Sequence, residues 1–140
     1  MNATKRYLKQ VRHIDEEIEF RRGELEKIRE DITSIKGIAY DKDRVQSSPT
    51  DDGILKKVIQ LQKIGKNISD LIVKRTKIRN QIINEITMMP NRVHMNVLHK
   101  YYVDGKTFEL IAVEMGYSYD RIIHIHSEAL QAFKEKYRIR

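Results

Sequence analysis

The 140-residue chain contains no cysteine, so disulfide bonds and thiolate metal sites are excluded, which fits a reducing cytosol. No stretch reaches the length of about 18 consecutive apolar residues that a membrane-spanning helix needs. The N-terminal segment, MNATKRYLKQVRHIDEE, lacks the apolar core of a signal peptide. These absences predict a cytoplasmic protein that does not enter a membrane.

The sequence also lacks the patterns that carry catalysis, namely a glycine-rich phosphate loop, a nucleophile motif and a pocket-like cluster of carboxylates. Among the five histidines, His124 and His126 invite a metal site because they are close in sequence. Two residues apart on a helix, they point to different faces, whereas helical metal pairs are usually three or four residues apart. We therefore predict no enzyme, no metal and no cofactor.

Charge is abundant in this chain. Charged residues make up 34% of it, the net charge is +7 and the isoelectric point is near 9.6. The apolar residues fall in regular stripes, which favours an ordered helical protein over a disordered one. A basic chain suits a polyanionic partner, but many proteins without such a partner share this balance, so charge alone does not decide. The length indicates one domain or two small ones.

Two long stretches carry a heptad-like seam, in which apolar residues recur every three or four positions. In the first, from about Thr4 to Lys36, the seam consists of Tyr7, Val11, Ile14, Ile18, Leu25, Ile28, Ile32 and Ile35. In the second, from about Gly53 to Met88, it consists of Leu61, Ile64, Ile68, Leu71, Ile78 and Ile82, widened by Leu55, Val58, Ile72 and Ile86. Arg21 and Arg75 each fill one slot. Either their heads reach water or a glutamate, or they fix the register of the helices.

The segment between these stretches, residues 37–53, is rich in Asp, Ser, Pro and Gly and keeps no period, which predicts a linker. Gly37 is expected to end the first helix, and Asp51 or Asp52 to cap the second. Two helices of similar length joined in this way are expected to fold back as a long antiparallel coiled-coil hairpin. Because both stripes are wide for a two-helix core, residues 1–89 are expected to form a homodimer as a four-helix bundle.

A break at Met89–Asn91 opens a C-terminal domain, residues 90–140, in which three short helices are predicted. The predicted helix caps are Asn91, Thr107 and Ser118. Gly116 lies in the turn between the second and third of these helices, where glycine adopts a positive φ freely. Ala112 allows a close crossing, and the shared core is predicted to contain Ile111, Met115, Ile122, Ile125, Ala129 and Leu130. The fold class is thus all-α, a helical hairpin followed by a helix-turn-helix.

A helix-turn-helix places its second helix in the major groove of DNA. The outward face of that helix would supply the groups Tyr119, Asp120, Ile123, His124 and Ser127, and Arg121 would lie beside this face. Hydroxyl, imidazole and carboxylate groups can hydrogen-bond base edges, and isoleucine can contact a thymine methyl group. Predicted contacts to the phosphate backbone come from Arg121, Lys106 and Lys100, and from a basic tail of Lys134, Lys136, Arg138 and Arg140. Thr107 is also expected among the DNA-binding residues.

The segment from Leu98 to Phe133 resembles the fourth region of housekeeping bacterial sigma factors. The resemblance is carried by Leu98, Tyr101, Tyr102, Gly105, Thr107, Phe108, Glu109, Ile111, Ala112, Met115, Gly116, Ser118, Arg121, Ile122, Ile125, Ala129 and Leu130. The whole chain is similar to the small sigma-like late-gene regulators of phages and prophages in Gram-positive bacteria, of the RinA and ArpU type, and the linker residues Tyr40–Pro49 resemble one such group. This implies a protein of the bacterial host cytoplasm that binds double-stranded DNA, activates phage structural or packaging genes and recruits RNA polymerase. No segment resembles the sigma region that reads the −10 element, so a complete initiating sigma factor is not expected.

Two other functions stay open from the sequence. A small terminase subunit for DNA packaging also joins a helix-turn-helix to an oligomerising coil, and large ring-shaped oligomers would favour it. Alternatively, the chain could be an interaction module that binds RNA polymerase without strong DNA affinity of its own. Dimers that shift a promoter fragment would favour the regulator.

Overall fold

The computed structural model of the protein describes residues 2–43 and 50–139, with side chains described for residues 2–38 and 53–139. The fold is all-helical, and neither described range contains a strand. The helices are α1 (Ala3–Asp43), α2 (Thr50–Thr87), α3 (Arg92–Leu98), α4 (Phe108–Met115) and α5 (Tyr119–Tyr137), and a π-helical turn, His99–Val103, follows α3 directly. In the described ranges, none of these helices has an apolar stretch long enough to cross a membrane. The side chains of Tyr40–Pro49 and the whole of Arg140 lie outside the described residues.

Both long helices extend further than the sequence predicts. Helix α1 continues through Gly37 to Asp43, so the prediction that Gly37 ends it is wrong. Helix α2 begins at Thr50, which places Asp51 and Asp52 inside its first turn and not at its cap. A glycine inside a helix costs about 1 kcal/mol relative to alanine, and a helix of this length tolerates that cost.

The packing of the helices divides the chain into two compact units. Unit 1 comprises residues 1–16 and 76–140, and unit 2 comprises residues 17–75. The first turns of α1 and the last turns of α2 therefore belong to the same unit as α3, α4 and α5. The periodicity of the sequence does not predict this grouping, because periodicity identifies an apolar face without showing which distant face covers it.

The main core of unit 1 is built by helices from both ends of the chain. Its buried side chains are Leu8, Val11, Ile82, Ile86, Met89, Leu98, Tyr102, Ala129, Leu130 and Phe133. Leu8 and Val11 come from α1, and neither is accessible to solvent. Removal of this apolar surface from water is the main term that stabilises the unit.

Glu85 of α2 joins α1 to α5 through two hydrogen bonds in unit 1. Its carboxylate accepts a hydrogen bond from the Tyr7 hydroxyl, and its backbone carbonyl accepts one from the Tyr137 hydroxyl at 2.7 Å. Burial, followed by the contact with Glu85, raises the pKa of Tyr7 above its ordinary range. Both tyrosines are thus neutral donors that fix the rim of the core.

Unit 2 consists of the remaining parts of α1 and α2. Among its described side chains, the buried apolar ones are Ile18, Val58 and Ile68, and Leu25, Ile28, Ile32, Ile35, Leu61 and Leu71 are half-buried. Ile64 and Leu55 are exposed, so their assignment to the buried stripe is wrong. A two-helix unit has only one buried face per helix, which leaves the edges of a wide stripe in solvent.

The two arginines in the apolar seams pair with glutamates of unit 2. Arg21 lies 2.9 Å from Glu24, and Arg75 lies 3.0 Å from Glu17. Both pairs fit an arginine whose guanidinium reaches a glutamate. The Arg75–Glu17 pair joins α2 to α1, so it also fits a residue that fixes the register of the two helices.

Candidate nucleic-acid interface

The three predicted helix caps are confirmed. The side-chain oxygens of Asn91, Thr107 and Ser118 accept hydrogen bonds from backbone N–H groups in the first turns of α3, α4 and α5. Each cap accepts from a backbone N–H group that has no acceptor within the helix. Loss of such a cap lowers the unfolding free energy by about 0.5–2 kcal/mol. These caps define where α4 and α5 begin, and hence which residues occupy their first turns.

The turn between α4 and α5 is three residues long and depends on glycine. Gly116 has φ 73° and ψ 29°, a left-handed conformation, which confirms the prediction for this position. The backbone N–H of Tyr117 donates to the Ala112 carbonyl at 3.0 Å, which closes the end of α4. The chain can then reverse within the turn and begin α5 at its Ser118 cap.

The predicted shared core is split in two. Ile111, Ala112, Ile122 and Ile125 form one buried cluster together with Val97 of α3. Met115 is only partly buried at its edge, whereas Ala129 and Leu130 belong to the main core with α1 and α2 residues. The reason is the length of α5, which has 19 residues. Its first half packs on α4 and its second half on the long helices.

The outer face of α5 exposes most of the residues predicted to read DNA. Tyr119, Asp120, Arg121, His124 and Ser127 are exposed, and Ile123 is half-buried. The structure brings Asp120, Arg121 and His124 into one shallow depression, which Ser118, Ile125 and Glu128 also line. The Arg121 guanidinium lies 5.2 Å from the centre of the Tyr117 ring, a distance at which cation and ring attract each other.

Two of the predicted phosphate-contacting lysines pair with a carboxylate. Lys106 and Lys100 lie 2.6 Å and 3.3 Å from the carboxylate of Glu114 on α4. The hydrogen bond between Lys106 and Glu114 raises the pKa of the lysine and lowers that of the glutamate. The Thr107 hydroxyl is occupied as the α4 cap. The positive charge available at this edge of α4 is therefore smaller than the sequence suggests.

The predicted basic tail is also partly engaged. The Lys136 ammonium donates to the backbone carbonyl of Met88 at 2.9 Å, at the end of α2. Lys134 and Arg138 are exposed, and Arg138 ends α5 with φ 51°. These two side chains remain accessible to a phosphate from solvent.

A buried polar pair under α5 was not predicted from the sequence. His126 is 6% exposed, and its Nε2 lies 2.8 Å from the Tyr102 hydroxyl. Burial lowers the pKa of His126 to about 4, with a smaller contribution from the charge of Lys5. The available signal was position, because His126 lies four residues after Ile122 and seven before Phe133, on the apolar face of α5.

His124, by contrast, is exposed, so the prediction that these two histidines point to different faces is confirmed. Within residues 2–43 and 50–139, no three His, Asp or Glu side chains are grouped so as to hold a metal ion. In comparisons with known proteins, the chain matches no family model, no curated protein and no solved structure.

Proposed function

We propose that the protein is a sequence-specific, double-stranded DNA-binding transcriptional regulator. In this proposal α4 and α5 form a helix-turn-helix, and the first half of α5 enters the major groove. The observation that carries the proposal is the two-sided character of this half of α5. Ile122 and Ile125 are buried against α4, while the opposite face offers Asp120, Arg121 and His124 to solvent. A helix held rigidly on one face and polar on the other suits groove reading.

The chemistry of the exposed face is suited to base edges. Arg121 and His124 can donate hydrogen bonds to guanine acceptors or to phosphate, and Asp120 can accept one from the cytosine amino group. Tyr119 and Ser127 can reach base edges or the backbone. Ile123 is half-buried and can contact a thymine methyl group along one edge of the helix. The mixed charge of the face favours selection among sequences over uniform attraction to phosphate.

We further propose that α1 and α2 form an antiparallel hairpin and that two copies of the protein associate through it. In unit 1, Tyr7 meets Glu85, and the later α1 residue Asp15 pairs with the earlier α2 residue Arg79. In unit 2, Glu17 pairs with Arg75, and Ile28 lies against Gly65. In both units α1 numbers rise as α2 numbers fall, which supports helices of opposite direction. Among the described side chains of unit 2, the large apolar ones that are at least half exposed are Phe20, Ile38, Leu55, Ile59 and Val73. A second copy would cover part of this surface.

Sedimentation velocity is expected to give a dimer at micromolar concentration. A compact monomer would contradict the proposed association. Large rings would instead favour a DNA-packaging subunit of the terminase type. Replacing the exposed Ile59 and Val73 by glutamine should shift the equilibrium towards monomer, because both would lose apolar burial in the dimer.

The resemblance of Leu98–Phe133 to the fourth sigma region supports activation of phage late or packaging genes, with recruitment of RNA polymerase. A second candidate function is an interaction module that binds polymerase with little DNA affinity. It is favoured by the outer face of α4, where Val113 is 79% exposed and Leu110 is also exposed. Exposed apolar side chains on a short helix suit a protein contact more than a phosphate contact.

The experiment that tests the regulator is a binding selection on random-sequence duplex DNA with the purified protein. An enriched motif is expected, and it would supply the operator. If no sequence is enriched at low salt, sequence-specific binding is wrong and the polymerase-binding alternative is favoured.

With that operator, the double variant Arg121→Ala/His124→Ala should bind more weakly, by about 1–3 kcal/mol for each well-formed hydrogen-bonded pairing with a base that it removes. Its preference among the selected bases should also relax. The matched control is Arg22→Ala/Gln62→Ala, which removes one cation and one neutral polar group from exposed sites in unit 2. Equal affinity of the two double variants in a mobility-shift titration would show that α5 is not the reading helix.

A further inference from the structure

The C-terminal helices carry only a small net positive charge. Residues 92–140 contain eight Lys or Arg and six Asp or Glu, a net charge of +2. The chain as a whole has a net charge of +7. Because neutralisation of phosphates supplies a large share of DNA affinity, a helix-turn-helix with this small net charge would gain affinity from cations on another part of the molecule.

The first turns of α1 are the opposite in composition. Residues 1–14 contain Lys5, Arg6, Lys9 and Arg12 and no acidic residue, a net charge of +4. Lys5, Lys9 and Arg12 follow one another at spacings of four and three, which places them on one side of the helix. Within the described residues, none of these three pairs with a carboxylate. Lys100 and Lys106, by contrast, share Glu114.

One end of this side of α1 lies against the turn that precedes α4. A Cβ atom at Gly105 would stand 2.6 Å from the guanidinium carbon of Arg12, so Arg12 lies directly on the turn that leads into α4. Gly105 has φ 70°, which glycine adopts freely, and its missing side chain leaves room for that guanidinium. At the other end of the stripe, the charge of Lys5 acts on His126 in the middle of α5. Lys9 lies between them on the same side.

We propose that Lys5, Lys9 and Arg12 form a phosphate-binding stripe, through which the N-terminal helix clamps the DNA backbone beside the start of α4. The proposal rests on the proposed DNA-binding function and adds a second element to it. The first helix of a helix-turn-helix crosses the DNA backbone. The Arg12 guanidinium is placed next to the Thr107 end of α4, where such a phosphate would lie. Long flexible cations there add affinity without reading sequence.

The test is the salt dependence of binding to a random-sequence duplex. The triple variant Lys5→Gln/Lys9→Gln/Arg12→Gln should flatten the plot of log affinity against log salt by about two to three, since each neutralised phosphate contributes about 0.9 to the slope. The single variant Arg12→Gln should flatten it by about one. Arg12 is exposed, so this variant tests the stripe even where the triple variant is poorly folded.

The control is Lys57→Gln/Lys63→Gln/Lys66→Gln, which removes the same charge from exposed positions of α2 in unit 2. It should leave the slope close to that of the unaltered protein. If the unaltered protein binds duplex DNA but Arg12→Gln and both triple variants have its slope, the stripe is wrong and the proposed function stands. If the unaltered protein binds no duplex at low salt, the proposed function and the phosphate-binding stripe are both wrong. A preference for single-stranded RNA over duplex would also overturn the stripe as a duplex clamp.

Discussion

The variant Phe133→Ala should lose about 3–5 kcal/mol of unfolding free energy, because truncation of a fully buried phenylalanine combines lost transfer energy with a cavity. Phe133 on α5 is inaccessible to solvent. Its ring centre lies 6.0 Å from that of Tyr7 on α1 and 4.7 Å from that of Tyr137. A cavity here would lie between α5 and α1. Urea unfolding followed by circular dichroism measures the loss.

The control for this prediction is Phe20→Ala, the same chemical change at a position that is 67% exposed. It should alter the unfolding free energy by no more than about 0.5 kcal/mol. Similar stability of the two variants would mean that the first turns of α1 do not cover α5 in solution, which would remove both the main core of unit 1 and the basis for the phosphate-binding stripe.

Features determined by neighbouring residues could be predicted from the sequence. The caps at Asn91, Thr107 and Ser118 were predictable because each side chain bonds a backbone group two or three residues away. Gly116 was predictable for the same reason, since glycine adopts the left-handed conformation of this turn at low cost and most other residues do not. The exposed face of α5 followed from helical periodicity alone.

Features that depend on distant residues were not predictable from periodicity. Leu8 is fully buried but lies beside the seam that was identified, because α5 covers a second face of α1. In the sequence, Arg12 cannot be distinguished from the other cations expected to be in solvent, and only the fold shows that it lies against Gly105. The predicted helix ends were wrong for a different reason. At Gly37 a local stop signal was overridden, since a stop residue weakens a helix without ending it.

The protein should lose stability as the pH falls from about 6.5 to 4, because His126 is buried in its neutral form. In the folded state burial lowers the pKa of His126 to about 4, below the ordinary value of 6.5. Between these two pH values, His126 therefore binds a proton in the unfolded chain but stays neutral in the folded protein. The stabilising contribution is complete above pH 6.5 and declines towards pH 4, and it amounts to about 3 kcal/mol.

The double variant Tyr102→Phe/His126→Phe should remove this pH dependence and remain folded. It replaces both partners of the 2.8 Å hydrogen bond by apolar rings of similar shape, which leaves no buried polar group without a partner. The ring contacts of residue 126 with Tyr101 and Phe108 can persist, since they depend on aromatic faces. Urea unfolding of both proteins between about pH 7 and pH 4 isolates the histidine, because every carboxylate is common to the two chains. If the unfolding free energies of the two proteins changed with pH in parallel, His126 would be protonated as readily in the folded protein as in the unfolded chain. The second half of α5 would then not keep His126 buried in solution.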